Sequence, residues 1–388
     1  MTDVVIVGAA RTPMGKFLGR VSQFTAPQLG TAAIKGLLNQ TGVKGDQIDE
    51  VILGHVVQAG VGQAPARQAA IGGGVSSAVP AVALNKVCGS GMKALICGVQ
   101  AIKVGDAQIV IVGGMESMSH APFLLHGLRS GVKAGDQKLV DAMIHDGLWC
   151  AFEGHHMGLS AEYTAQKSCI TRQMQDEFSL GSHKKALAAM EAGAFDNELI
   201  PLEAKDGPID RDETPRAETT LEKLAKLRPA FNADGSVTAG NAPGLNDGAS
   251  ALMLMSQEQA RQRGLKPLAK VVGYAAAGTE PIDLFYAPVH ATRKLLENLK
   301  MNVSDFDLIE VNEAFAAQVL ADGKELKWDW DRVNVHGGAV ALGHPIGCSG
   351  ARIVTTLAWA LQRHDKEWGL ATICMGGGNG LSLAIQRM

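Results

Sequence analysis

Charge is scarce in this chain: Asp, Glu, Lys and Arg supply 19% of its 388 residues, against about 25% in an average soluble domain. So much uncharged surface implies extensive burial, between layers or between subunits. The 36 basic and 39 acidic residues leave a formal charge of −3 with no basic block or stripe, which gives nucleic-acid binding no electrostatic footprint. No uninterrupted apolar stretch reaches the roughly 20 residues of a membrane span, and the opening MTDVVIVGAARTP has no basic n-region. A cytoplasmic protein with no membrane partner is the expectation. The six cysteines, at 88, 97, 150, 169, 348 and 374, show no C-x-x-C spacing; reduced thiols and no metal site are expected. The length excludes a small disulfide-stapled scaffold and predicts two or three domains of roughly 100 to 200 residues each.

Glycine, by contrast, is abundant, with 46 residues, about 12% where about 7% is usual. Its clusters, such as Gly72 to Gly74 and Gly376 to Gly378, suggest tight turns and close backbone approaches. The two ends of the chain also resemble each other at a nearly constant offset, from 258 (295 − 37) to 263 (376 − 113) residues. Leu37-Leu38 answers Leu295-Leu296, Glu50-Val51 with Gln58 answers Glu310-Val311 with Gln318, Ser90-Gly91 answers Ser349-Gly350, and Gly113-Gly114 answers Gly376-Gly377. Two related halves of about 120 residues are implied. Within each, apolar runs of strand length (Val4 to Val7, Ile109 to Val112, Leu308 to Val311, Ala371 to Met375) alternate with helix-period segments such as Thr31 to Asn39 and Ala351 to Gln362. That pattern predicts α/β layers, with strands buried on both faces and a helical layer shared between the halves. Residues from about 119 to 246 are richer in His, Met and charge and read as an insertion carrying substrate or subunit contacts.

Three segments could do chemistry. In NKVCGSGMKAL an apolar run ends at Cys88 and a helix begins near Ser90. A thiol at a helix N-terminus is expected to have its pKa lowered by the helix dipole, with Gly89 and Gly91 giving a substrate room at the backbone. A buried structural cysteine is the alternative. HGGAVALGHPIGCSGAR holds His344 five residues before Ser349, as Asn85 stands five before Ser90, so pseudo-symmetry would bring the two elbows together. A neutral imidazole there could take a proton from Cys88; a hydrogen-bonded core histidine is the other reading. ICMGGGNG delivers Cys374 into a glycine run whose N–H groups could face an oxyanion, or which simply turns. Asn312, in VNEAFAAQ, could hold a water or a thioester oxygen, or cap the following helix.

These blocks, NKVCGSGMKA, VNEAFAAQ, NVHGGAVALGHPIGCSGAR and CMGGGNG, resemble the thiolases in order and spacing over essentially the whole chain. The resemblance implies a duplicated five-layer αβαβα fold, with an N-terminal domain over 1–265, including the inserted loop domain at about 119–246, and a C-terminal domain over 266–388. It implies Cys88 as the acylated nucleophile, His344 as its activator and Cys374 as acid/base at the substrate α-carbon. Asn312 would order an oxyanion-hole water, and the N–H groups of Cys88 and Gly376 would form a second oxyanion hole. Leu148, His156, Met157, Arg216, Phe231, Ala239, Pro243, Leu284, Ala314 and Phe315 would contact the substrate or its coenzyme A. Pro243 stands where many members have Ser, and Leu284, Phe285 and Tyr286 bring bulk where the family usually has Met and small residues. The adjacent His155-His156 pair is assigned no metal.

The activity implied is the joining of two acetyl-CoA into acetoacetyl-CoA and free CoA, or the reverse thiolysis, with CoA thioesters as substrates, no external cofactor, and a homotetramer as the assembly. The alternatives are a degradative 3-ketoacyl-CoA thiolase of broader chain length and a catalytically silent acyl-CoA-binding subunit. A decarboxylating ketosynthase would have no need of Cys374.

Overall fold

The computed structural model describes residues 2–388. Its first half runs β1 (Val4–Arg11), α1 (Ala26–Thr41), β2 (Glu50–Gly54), α2 (Pro65–Gly72), β3 (Ala81–Leu84), α3 (Ser90–Val104) and β4 (Ile109–Ser117). An excursion containing α4 (Met157–Lys167) and α5 (Arg172–Glu191) follows, and β5 (Asn246–Ser256) completes the half. The second half repeats the plan with β6 (Ala269–Gly278), α6 (Ala287–Leu299), β7 (Leu308–Val311), α7 (Ala316–Leu326), α8 (Ile346–Arg363), β8 (Trp368–Met375) and β9 (Asn379–Arg387). The strand orders are β1-β5-β4-β2-β3 and β6-β9-β8-β7. First, last, penultimate, second: the permutation is the same in both halves, as the sequence repeat predicts.

Local chemistry sets these elements. Helix α1 opens with a Thr25/Gln28 capping box and Pro27 in its first turn, and closes on Gly42 at φ 68°, a left-handed cap that glycine adopts without Cβ strain. All eight residues of β1 and all nine of β4 are buried, as expected for strands covered by helices on both faces.

The layers follow from three apolar cores. One lies between α1, α2 and the first sheet, through Leu29, Ile34, Leu37, Val51 and Ile111. One lies on the far side of the second sheet, through Leu295, Val311, Val319 and Leu370. The largest surrounds α3 and α8, which pack between the sheets with Leu95, Val99, Ile353 and Leu357 against Val112, Leu254, Ile373 and Leu383. This is αβαβα layering with α3 and α8 as the shared helical layer. The two sheets also touch at one edge, where β6 pairs with β1 through Val5–Lys270 and Ile6–Ala269, so the hydrogen-bonded ladder is continuous. Residues Val87–Val104 are long and apolar enough to pass for a membrane span by composition, and in this fold they supply the interior helix α3.

The repeat pair Ser90-Gly91 and Ser349-Gly350 marks where α3 crosses α8. A Cβ on Gly91 would lie 2.6 Å from the Ala351 nitrogen, and one on Gly350 would lie 2.6 Å from the Met92 nitrogen. These glycines are required by helix–helix contact, and the expectation that Gly89 and Gly91 make room for substrate is corrected: a Cβ on Gly89 would strike Met375 Sδ.

The excursion between β4 and β5 does not build a core of its own. Helices α4 and α5 pack on α7, and Met157, Ala161 and Val237 share a cluster with Leu284, Phe285, Ala314, Phe315 and Cys374 of the second half. At its other end, buried Arg11 of β1 holds Glu198 at 2.5 Å and Asp212 at 2.7 Å. The segment is thereby seated across both halves, roofing the strand ends.

Candidate active site

The β3–α3 and β8–β9 connections meet beneath this roof. Strand β3 ends at Leu84, three residues sooner than the apolar run of the sequence suggests, and the chain turns through Val87 at φ 47°. Asn85 Oδ1 accepts from Val87 N (2.9 Å), Ser90 Oγ accepts from Lys86 N (2.8 Å), and the Ser90 hydroxyl donates to Val87 O (2.6 Å). The elbow so fixed presents Cys88, partly exposed, at the floor of a cavity of about 300 Å³. Cys374, at the end of β8, and His344, just ahead of α8, line the same cavity, as does Gly376. The backbone N–H groups of Gly376 and of Cys88 itself lie close enough to the Cys88 sulfur to favour its thiolate.

His344 is oriented by a chain of hydrogen bonds that identifies its tautomer. Its Nδ1 lies 2.6 Å from Ser349 Oγ, whose single proton is donated to Pro345 O at 2.9 Å. Nδ1 must then be the donor to Ser349, which leaves a lone pair on Nε2. That Nε2 faces the Asn312 side-chain amide at 3.5 Å. The imidazole backbone is held as well, His344 N donating to Asn246 Oδ1 at 2.8 Å. Asn312 is fully buried, its N–H donates to Thr372 O, and its Oδ1 has no protein partner. Helix α7 begins only at Ala316, with Phe315 at its N-cap position, so of the two sequence readings of Asn312 the capping one is excluded.

Above the thiols the cavity is lined by Leu148, His156, Met157, Phe231, Ala239, Pro243, Leu284, Ala314 and Phe315. His156 stacks on Phe231 with centroids 4.7 Å apart, and Gly158 leaves the room that ring occupies. Phe285 meets Phe315 edge to face at 5.5 Å. Two residues depart from expectation. Arg216 is exposed and does not line the cavity; its backbone and guanidinium engage His183 of α5. Tyr286 turns away from its neighbours Leu284 and Phe285, its hydroxyl 2.7 Å from Oγ of Ser168, the residue that closes the C-terminal end of α4. His155 and His156 have separate partners, Ser160 Oγ for one and Gly158 N for the other.

With this arrangement described, comparison with known proteins gives one answer. Residues 4–258 match the thiolase N-terminal domain and residues 265–387 the thiolase C-terminal domain. The chain is a thiolase. It is 54% identical to the acetyl-CoA acetyltransferase of Pseudomonas aeruginosa over the full length of both chains. Proteins of the same name from Allochromatium vinosum and Cupriavidus necator are 51% and 50% identical, covering all of this chain and 99% and 100% of their own.

The electrostatics of the thiolase site overturn one expectation. Cys88 does not gain a lowered pKa from its helix end: burial pushes the thiol up to about 12, the two N–H groups oppose this only in part, and buried Glu116 adds to the rise. The helix dipole is a surface-scale effect and loses to desolvation here. Cys374 is also pushed well up, by burial first and then by the proximity of Cys88. His344 is driven down to about 3 by burial, with the nearby Arg352 adding to the fall, so it is neutral, as expected.

Several supporting residues of the thiolase site went unread in the sequence. Ser349 was visible only as the repeat partner of Ser90; its hydroxyl sets the tautomer of His344. Asn246 stands in AGNAPGLNDGA without any mark of its contact to His344. Glu116 accepts from Val56 N, Val57 N and Gly347 N at 3.0 to 3.2 Å, tying the loop after β2 to the start of α8. A lone carboxylate ending an apolar strand was the only available sign of it.

Proposed function

We propose that this thiolase is an acetyl-CoA acetyltransferase, forming acetoacetyl-CoA and free CoA from two acetyl-CoA or running the reverse thiolysis. The observation that carries the reading is the convergence of Cys88, Cys374 and the Nε2 lone pair of His344 on one cavity floor. The Cys88 proton passes to His344 Nε2 as the sulfur attacks the thioester carbon. The tetrahedral oxyanion is met by N–H donors, and collapse expels CoA sulfur, which takes the proton back. With Cys88 held as a thioester, its smaller contribution to the raised Cys374 pKa is gone, and burial, the larger cause, remains. Cys374 gives its own proton to His344 Nε2 and, as the thiolate, takes an α-proton from the second acetyl-CoA. The carbanion attacks the acetyl carbon, Cys88 leaves as a thiolate, and His344 passes it the proton. The chemistry is redox-neutral acyl transfer with no external redox cofactor.

The short acyl chain is supported by Leu284, Phe285, Met157 and Phe315, which pack together beside Cys374 and leave little room for further methylenes. Leu148, His156, Phe231, Ala239 and Pro243 would line the path of the pantetheine, with Arg216 outside it. A cytoplasmic homotetramer with all six cysteines reduced is part of the proposal. Intact-mass analysis after brief exposure to acetyl-CoA should show one acetyl group on Cys88. In Cys374→Ala that label should persist while condensation falls by roughly 10²- to 10⁴-fold, as for loss of a general base. Acetyl on Cys374 alone, or undiminished condensation in the variant, would refute the assignment.

A further inference from the structure

Beside the Cys88 elbow, and sharing no lining residue with the substrate cavity, lies a second cavity of about 330 Å³ lined by Lys86, Lys93, Lys294, Tyr274, Gln100 and Asn298. Three lysines reach it from three elements: Lys86 from the β3–α3 elbow, Lys93 from α3 and Lys294 from α6. No carboxylate lines it. Other surface cavities mix their signs: one sets Glu280, Asp283 and Glu325 beside Lys167 and Arg293, another sets Glu177 and Glu313 beside Lys185. Among the described residues the lysine–carboxylate ion pairs use Lys167 and Lys270, so the three lysines here are without a counter-charge in a protein of net charge −3. Their hydrogen bonding is sparse too. Lys86 Nζ reaches Asn379 Oδ1 at 3.4 Å and Lys294 Nζ reaches Ala276 O at 3.3 Å, while each ammonium carries three donors.

Three like charges held around one concavity repel one another, and a multiply charged oxyanion is the ligand that would relieve the repulsion while using the free N–H groups. The walls are not wholly polar: Ile96, Ala275, Leu381 and the Tyr274 ring complete them, and the volume exceeds that of a bare phosphate. We propose that this cavity is a binding site for a phosphorylated small molecule, its phosphoryl oxygens held by Lys86, Lys93 and Lys294 and its organic part against Tyr274. The site adjoins the reaction centre through structure already described. Lys86 belongs to the elbow that fixes Cys88, and its partner Asn379 directly follows the Gly376–Gly378 turn. A ligand there engages the elbow directly through Lys86 and the glycine turn only through the Lys86–Asn379 contact, and nothing in its recognition depends on the acyl-transfer reading.

The test uses the full-length enzyme and inorganic pyrophosphate as the probe, titrated calorimetrically at constant ionic strength against an equal series of sodium chloride. One pyrophosphate should bind per chain. Binding should weaken at least 10-fold in Lys93→Gln/Lys294→Gln, a pair outside the elbow, and stay within twofold of the parent in the control Lys167→Gln. Unchanged melting and unchanged acetylation of Cys88 would show that the double variant is folded. Equal binding by parent and double variant, or a response matched by sodium chloride, would overturn the proposal. Citrate binding tighter than pyrophosphate would overturn the phosphoryl assignment in favour of a polycarboxylate.

Discussion

Ser349→Ala tests the tautomer argument directly. The Ser349 hydroxyl is the acceptor for His344 Nδ1–H at 2.6 Å and is itself buried. Removing it leaves two outcomes for the imidazole. Either Nδ1–H stays in place as a buried donor without a partner, which costs about 1–3 kcal/mol, or the proton moves to Nε2, where it faces the Asn312 amide and abolishes the lone pair that takes the Cys88 proton. The reactive tautomer is penalised in both cases by a similar amount. At about 1.4 kcal/mol per factor of ten, acylation should slow by roughly 5- to 150-fold. The assay is single-turnover acetylation of Cys88 followed by intact mass, so that the second half-reaction does not enter. A parallel loss of a few °C in Tm is expected, because Ser349 also bonds Pro345 O in the first turn of α8. Acylation within twofold of the parent enzyme, in a folded variant, would refute the role given to Ser349.

Four further outcomes follow from the same geometry. Folding stability should fall as pH drops below about 6.5, because His344, held near 3, stays neutral in the folded protein while the unfolded chain takes up the proton; the contribution of this one residue is about 1.4 kcal/mol per pH unit, measured as urea midpoints between pH 7.5 and 5. On the alkaline side stability should fall above about pH 9, where unfolded thiols ionise while Cys88 and Cys348, pushed up to about 12, do not. Gly350→Ala should destabilise by about 1–3 kcal/mol in denaturant unfolding through the α3–α8 crossing, with no change in the acetylation site. Phe285→Ala, emptying a fully buried position beside the acyl end, should narrow the preference in kcat/KM for acetoacetyl-CoA over 3-ketohexanoyl-CoA. The change can reach about 15-fold for two methylenes at about 0.8 kcal/mol each, and an unchanged ratio would place the chain-length barrier elsewhere.

The repeat, the layer plan and the identities of Cys88, His344 and Cys374 were legible in the linear chain because each depends on local pattern. Continuous apolar strand runs and helical runs alternate in the same order twice, and Cys88, His344 and Cys374 sit at element ends inside motifs whose spacing is itself the information. Even the glycine pair Gly91 and Gly350 was visible as a repeat, although the use of Gly91 was misread: whether a missing Cβ faces a substrate or a neighbouring helix depends on what lies opposite, which is a property of packing. The same limit applies to Tyr286 and Arg216. Leu284, Phe285 and Tyr286 are consecutive, yet the turn from Pro281 into α6 sends two side chains into the cavity and the third to Ser168.

What only the tertiary structure decided is the energetics of the site. A thiol at a helix N-terminus reads as an acidic thiol if the helix end is exposed, and the opposite holds when two sheets and an inserted roof remove the water around it. Desolvation depends on residues that are hundreds of positions apart in the chain, such as Cys88, His156 and Cys374, and no local pattern encodes it. The same holds for the hydrogen-bond order Pro345–Ser349–His344–Asn312, where the direction of one hydroxyl proton determines which imidazole nitrogen is free. Sequence alone determined which groups could react; the fold determined the burial that raises the pKa of both thiols and lowers that of His344.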